Sequence, residues 1–252
     1  MFNPSNIKTK AEPKPPLMLI YAQNGVGKSS FLKSVPGIMV ADIEGKLNNT
    51  ELARFTPENY EEFKGWLEWL LAQDKIDYKA IGVDTIDWLE MLVHKKICTD
   101  SGAKTITDPY VKATGYGNGY ILAANMMKNE IIPLFEQIRD KHNTPIILTC
   151  HASIVTCKDP DIEPYDVHEL KLQDKMRAVI SERMEAKVYA KIVRERDDKG
   201  NYLPAKEREF IAAPQKGIEA KNNLFLPDTF KVTYSNGWQD FIDVLNTNQP
   251  IN

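Results

Sequence analysis

Four short stretches of the chain place reactive residue types directly after runs of apolar ones. The first is Ala22-Gln23-Asn24-Gly25-Val26-Gly27-Lys28-Ser29. It follows the apolar run Leu17–Tyr21 and opens a segment of helical character, Gly27–Val35. That strand-to-helix context is what a phosphate-binding loop requires. Successive backbone N–H groups from Gly25 to Ser29 can form a nest around an anion, reinforced by the positive end of the helix. Lys28 then reaches the β- and γ-phosphate oxygens, and the Ser29 hydroxyl binds Mg2+. The candidate nucleotide contacts are Asn24, Gly25, Val26, Gly27, Lys28, Ser29 and Ser30. Ala22 stands where the consensus has its first glycine. A methyl group there forbids only positive φ, so the loop is expected to survive with reduced tolerance.

The other three stretches each end an apolar run on a polar residue. Ala80-Ile81-Gly82-Val83-Asp84 is a Walker B pattern, with Asp84 joining Ser29 as a metal-site residue on the same sheet edge, next to the phosphate loop. Val40-Ala41-Asp42-Ile43-Glu44 supplies two acids able to orient or deprotonate a water. Strand alternation puts Asp42 and Glu44 on the same side, so spacing does not choose between them. Ile146-Ile147-Leu148-Thr149-Cys150-His151 ends on an imidazole able to bond a γ-phosphate or the attacking water.

The elements that must hold these residues are legible as an alternation. Strands are expected at 17–21, 38–41, 80–83 and 145–150, with helices between them. Continuous apolar strands separated by helices imply a mainly parallel α/β sheet covered on both faces. A helix is expected to start at Thr56-Pro57-Glu58, hydroxyl cap first and proline next. Another, 86–98, should bury Trp88, Leu89, Leu92 and Val93. A long helix over 119–141 should kink or divide at Pro133. Residues 156–175 read as a long loop and 176–184 as a helix. Ala186–Arg194 and Tyr202–Ala212 read as a hairpin closing around Gly200, and 238–246 as a short helix.

Composition bounds these readings. At 252 residues and 42% hydrophobic, the chain suits one large domain with a packed core. No apolar run is long enough to span a bilayer. The lysine- and proline-containing lead-in, 1–16, lacks the apolar core of a signal peptide and is expected to be flexible. Cys98, Cys150 and Cys157 fit neither a disulfide framework nor a zinc site, so reduced thiols and a cytoplasmic location are expected. The net charge of −3 excludes a strongly basic nucleic-acid binder and confines any such contact to local patches.

In this order the four motifs resemble the RecA-like branch of P-loop ATPases. More narrowly, the chain is similar to small phage-encoded nucleotide-binding ATPases, some of which act in single-strand annealing or recombination. The resemblance implies an α/β RecA-like P-loop NTPase core with a mainly parallel sheet covered by helices, plus a C-terminal β-hairpin extension. On this reading 17–252 is a single ATPase domain, with 17–151 the nucleotide-binding core and 152–252 a loop- and β-rich extension. It implies ATP and Mg2+ as ligands, hydrolysis of ATP, and a catalytic set of Lys28, Glu44 and His151. Glu44 takes the family's general-base position and His151 its γ-phosphate sensor. The stretch Lys216–Asn223, followed by Leu226-Pro227, resembles a late Lys-Asn-Arg element. Asn223 stands where the family has arginine, which leaves Lys216 or Lys221 as candidates for a charge donated to a neighbouring subunit.

The resemblance further implies single-stranded DNA as partner and self-association into a ring or filament, in the cytoplasm of a host cell if the protein is phage-encoded. DNA-binding loops are then expected at 99–118 and 152–175. The first interleaves Lys104, Tyr110, Lys112, Tyr116 and Tyr120, a pattern suited to base stacking and phosphate contact. The second is rich in acids. Basic residues of the hairpin, including Lys187, Lys191, Arg194, Arg196, Lys206 and Arg208, form a further candidate patch. Two other readings compete: an ATP-switched binding module with slow or no hydrolysis, and a small-molecule kinase, for which a lid with catalytic arginines is not evident.

Overall fold

A computed structural model describes residue 3, residues 12–158 and residues 163–248. Most of the lead-in expected to be flexible lies outside these residues, as does the centre of the expected 156–175 loop. The part of the lead-in that is described, 12–16, is irregular but held: Lys14 pairs with Asp140, and the Pro16 carbonyl accepts from Ile146 N–H at 2.9 Å.

The first strand, β1 (Leu17–Ala22), is buried along its whole length. Its odd residues Leu17, Leu19 and Tyr21 join one apolar cluster, and its even residues Met18, Ile20 and Ala22 join another. A strand apolar on both faces must lie between two layers, and this one does. On one side pack α1 (Lys28–Lys33) and α7 (Gly237–Thr247). On the other pack α2 (Tyr60–Ala72), α3 (Ile86–Ser101), α4 (Asn118–Met126), α5 (Ile132–His142) and α6 (Asp174–Arg183).

The remaining strands are β2 (Ile38–Asp42), β3 (Ala53–Phe55), β4 (Ala80–Asp84), β5 (Ile146–Cys157), β6 (Tyr165–Leu170), β7 (Ala186–Ile192), β8 (Glu207–Ile211), β9 (Lys221–Asn222) and β10 (Thr229–Thr233). Their order is β10-β8-β7-β1-β5-β4-β2-β3, with β6 on β5 and β9 on β7. From β3 to β7 neighbours run parallel; β8 and β10 continue the same sheet antiparallel. This is the α/β P-loop core expected, and the β7–β8 hairpin extends its sheet rather than forming a separate layer.

Several expectations are corrected. The helix expected from Thr56 starts at Tyr60, because Asn59 accepts from Glu62 N–H at 2.9 Å while Glu62 bonds back to Glu58 N–H. In α3 Trp88 is exposed, and the buried face is Ile86, Leu89, Val93 and Ile97 together with the acids Asp87 and Glu90. The long helix divides at a π-helical turn, Met127–Ile131, and Pro133 sits in the first turn of α5, where its missing N–H costs nothing. Strand β5 runs six residues past His151 and pairs antiparallel with β6, so the expected loop is largely a β-hairpin.

The register places Asp42, Asp84 and His151 at one edge of the sheet. Ala22 lies opposite His151, Asp42 opposite Asp84, and Val83 opposite Leu148, which brings Asp84 level with Thr149. Asp84 is therefore not on the strand next to the phosphate loop; β5 lies between β1 and β4.

Candidate nucleotide-binding site

The loop between β1 and α1 turns through Gly25 at φ 80° and Gly27 at φ 95°. Both need the left-handed region that glycine enters without a Cβ penalty. Gly27 has a second reason: a Cβ there would lie 2.7 Å from the Tyr234 ring. Ala22 is the last residue of β1, fully buried and with no positive φ, so the missing first glycine demands nothing of the backbone. Asn24 and Gly25 are exposed at the loop tip, Ser29 and Ser30 half-buried on α1, and the Val26 side chain packs inward.

Lys28 is 8% exposed, with its ammonium on the carbonyls of Ala22 (3.2 Å) and Gln23 (3.5 Å). Burial lowers its pKa, opposed by the carboxylates of Asp84, Asp87 and Glu44. Ser29 Oγ donates to Asp84 Oδ2 at 2.6 Å, and Thr149 Oγ1 donates to Asp84 Oδ1 at 2.7 Å. Burial nonetheless raises the Asp84 pKa, with nearby Glu44 adding to it and the two hydroxyls opposing it. A buried carboxylate beside a hydroxyl and an ammonium is short of positive charge. A hard divalent cation would correct that, and the oxygen donors of Ser29 and Asp84 suit Mg2+, which takes the rest of its shell from phosphates and water. Among the described residues no cluster of His, Cys, Asp and Glu forms a self-sufficient metal cage.

The two β2 acids separate. Asp42 is fully buried and accepts from Lys46 N–H at 3.1 Å and Leu47 N–H at 2.9 Å, so its carboxylate folds the turn that follows. Glu44 is carried on that turn, its backbone N–H bonded to Asp84 O at 3.2 Å. Its carboxylate pairs with exposed Lys46 and lies close enough to Asp84 and Lys28 to perturb both.

His151 is turned toward α3. Its Nδ1 meets Asp87 Oδ2 at 2.8 Å and its backbone N–H donates to Asp87 Oδ1 at 3.1 Å. Burial works to raise the Asp87 carboxyl, but the bonds from His151 hold it below the ordinary range. Thr149 and Asp87 were missed as site residues. The signal for Thr149 was a lone hydroxyl in an apolar strand. For Asp87 it was an acid in the first helical turn after Asp84.

Of the remaining candidates, Lys221 donates to the carbonyls of Ser181 and Glu182 at the end of α6, which engages its ammonium within its own chain. Lys216 is exposed and lies over the Tyr165 ring, 5.5 Å from its centroid. Tyr110 and Tyr116 are fully exposed, and Lys104 and Lys112 beside them are exposed too. Asp108 holds that loop through the N–H groups of Lys104 and Tyr110, both at 3.0 Å. Tyr120 instead packs on His94. In the hairpin, Arg208 and Lys187 are buried and Lys191 pairs with Glu209, so the expected basic patch reduces to Arg194 and Arg196 around Tyr202, with Lys206 nearby.

Residues 14–224 match the family model described as an AAA domain. The chain belongs to this AAA domain family. The match covers β1 through β9 and so includes the phosphate loop, Glu44, Asp84 and His151. The family carries nucleotide-binding P-loop ATPase domains, in agreement with the sheet-edge site. None of the curated proteins matches the sequence. Among solved structures, the crystal structure of the RadB recombinase is similar over 88% of this chain and 90% of its own, at 14% identity and a TM-score of 0.48.

Proposed function

We propose that the chain is a Mg2+-dependent ATPase that acts on single-stranded DNA in recombination, by annealing or strand exchange, and that it works as an assembly. The observation that carries the ATPase reading is the convergence of Lys28, Ser29, Asp84 and Thr149 at one sheet edge, with Glu44 within electrostatic reach. The nest of N–H groups from Gly25 to Ser29 would cradle the β-phosphate, and Lys28 would leave its two carbonyls for the β/γ oxygens. Bound at Ser29 and Asp84, Mg2+ would supply neutralisation of phosphate charge. Glu44, released from Lys46, would orient a water in line with the γ-phosphorus and take its proton. His151, held by Asp87, would report loss of the γ-phosphate to the β5–β6 hairpin that begins beside it. The exposed pair Tyr110 and Tyr116 with Lys104 and Lys112 supports a single-strand site by stacking and phosphate contact.

A second reading, an ATP-switched module with slow or no hydrolysis, is favoured by the Glu44–Lys46 ion pair, which occupies the candidate base. Phosphate release measured with and without single-stranded DNA, across protein concentration, separates the two. Turnover that is stimulated by DNA, rises more than linearly with protein and disappears in Lys28→Ala supports the enzyme. Tight ATP binding without turnover supports the switch. No nucleotide binding at all would overturn both.

A further inference from the structure

Arg208 is the largest fully buried side chain among the described residues, at 1% exposure. It lies on β8 at an inward position next but one to Phe210. Among the described residues its guanidinium makes no ion pair, although the Asp240 carboxylate lies within electrostatic reach. Nη1 donates to Gly27 O, Nη2 donates to Thr233 O at 3.1 Å, and Nε has no partner. The guanidinium carbon sits 4.5 Å from the centroid of the Tyr234 ring, and Tyr234 OH donates to Val26 O at 3.1 Å. Two adjacent carbonyls of the phosphate loop, those of Val26 and Gly27, thus each accept from a side chain of the C-terminal segment, Tyr234 just past β10 and Arg208 on β8 respectively. Gly27 O accepts in addition from Phe31 N–H of α1 at 3.0 Å.

In a trans peptide the carbonyl of one residue and the N–H of the next point in opposite directions. Fixing Val26 C=O therefore fixes Gly27 N–H on the other side, and fixing Gly27 C=O does the same for Lys28 N–H. Both N–H groups belong to the nest. A loop turning on two positive-φ glycines has backbone freedom to lose, and anchoring it before the ligand arrives removes that cost from binding. A buried cation with no ion pair is unfavourable by itself, and among the described carboxylates only Asp240 acts on it, from a distance. A polyphosphate in the nest would add counter-charge.

We propose that Arg208 and Tyr234 are positioning residues of the phosphate nest, bracing the Val26 and Gly27 carbonyls from behind so that the Gly27 and Lys28 N–H groups face the nucleotide phosphates. The proposal rests on the reading of this loop as a nucleotide site. It also ties the C-terminal strands, distant in sequence, to phosphate affinity.

The test measures Kd for ADP and ATP, and the rise in melting temperature that each nucleotide causes, in wild type, Tyr234→Phe, Arg208→Met and Arg208→Lys. Tyr234→Phe removes one hydroxyl and keeps the ring, so it folds even if Arg208→Met does not. The expected result is ADP and ATP binding weakened about fivefold in Tyr234→Phe and more than tenfold in Arg208→Met, with part recovered in Arg208→Lys. The nucleotide-induced rise in melting temperature shrinks in the same order. A merely structural role would lower the melting temperature of the free protein and leave the nucleotide-induced rise and Kd at wild-type values; that outcome overturns the brace. Absence of nucleotide binding in the wild type would instead overturn the nucleotide reading, and the brace with it.

Discussion

Asp42 ends β2 and Glu44 stands two residues on, and their carboxylates meet different groups: two backbone N–H groups for Asp42, the Lys46 ammonium for Glu44. Substitution should separate them as cleanly. Asp42→Asn puts an amide NH2 against one of two buried N–H donors and is expected to cost about 1–3 kcal/mol, read as a lowered denaturation midpoint. Glu44→Gln is half-buried, touches no backbone donor, and should leave that midpoint in place. It should lower ATP turnover by about 10²- to 10⁴-fold with nucleotide still bound. If instead Asp42→Asn loses turnover at full stability while Glu44→Gln unfolds, the roles are reversed. Strand alternation could not assign them, because it assumes the chain stays extended. β2 ends at Asp42, and the chain turns through Gly45 at φ 71°. The phosphate loop was legible for the opposite reason, since its glycines, lysine and serine are contiguous. The Asp87–His151 and Arg208–Gly27 contacts join residues 64 and 181 positions apart, and no local spacing records them.

At the scale of elements, the strands that were legible are those buried on both faces, where the apolar run is unbroken: β1, β2, β4 and the first half of β5. β6 was missed because Tyr-Asp-Val-His-Glu-Leu carries polar residues on a half-exposed strand, and its existence depends on pairing with the continuation of β5. Helix α3 was legible as a helix but not as to its face. Its first turns line the sheet edge, so acids are buried there: Asp87 against His151, and Glu90 against the Gln173 N–H at 3.2 Å. Burial, with Asp87 adding to it, pushes the Glu90 carboxyl up to about 7, against the Gln173 bond and the pull of Arg177. The sign follows from linkage. A carboxyl whose pKa is higher folded than unfolded stabilises the fold in acid, and that contribution is lost as pH rises through the folded value. The protein should therefore lose stability between about pH 5 and pH 8, by an amount of order 1–3 kcal/mol from this group. Glu90→Gln keeps an acceptor for Gln173 and cannot ionise. It should flatten that part of the profile and melt higher than wild type at pH 8, with little difference at pH 5. Parallel profiles for the two proteins would show that Glu90 keeps its ordinary pKa.

For the whole molecule the informative quantity is where the cations are already committed. The net charge is −3. Lys187 is paired with Glu219, Lys191 with Glu209, Lys231 with Glu207, and Arg177 with Glu169 and Asp174. Arg208 is buried and Lys221 caps α6. Among the described residues, two surfaces combine exposed cations with exposed aromatics: Arg194 and Arg196 around Tyr202, with Lys206 nearby, and the 103–117 loop, which offers two fully exposed rings, Tyr110 and Tyr116, with Lys104 and Lys112. If the 103–117 loop is the single-strand site, stacking must dominate over phosphate contact. Two lysines imply a slope of log affinity against log salt of only about −1.4. Replacing Tyr110 and Tyr116 together by Ala should weaken binding by at least about tenfold, since each stacked base contributes roughly 1–3 kcal/mol. Lys104→Ala with Lys112→Ala should flatten the slope toward zero and weaken binding less. Fluorescence anisotropy with a labelled oligonucleotide, titrated at several salt concentrations, reads both quantities. A wild-type slope steeper than about −4 would require more phosphate contacts than this loop can make and would move the site to another face.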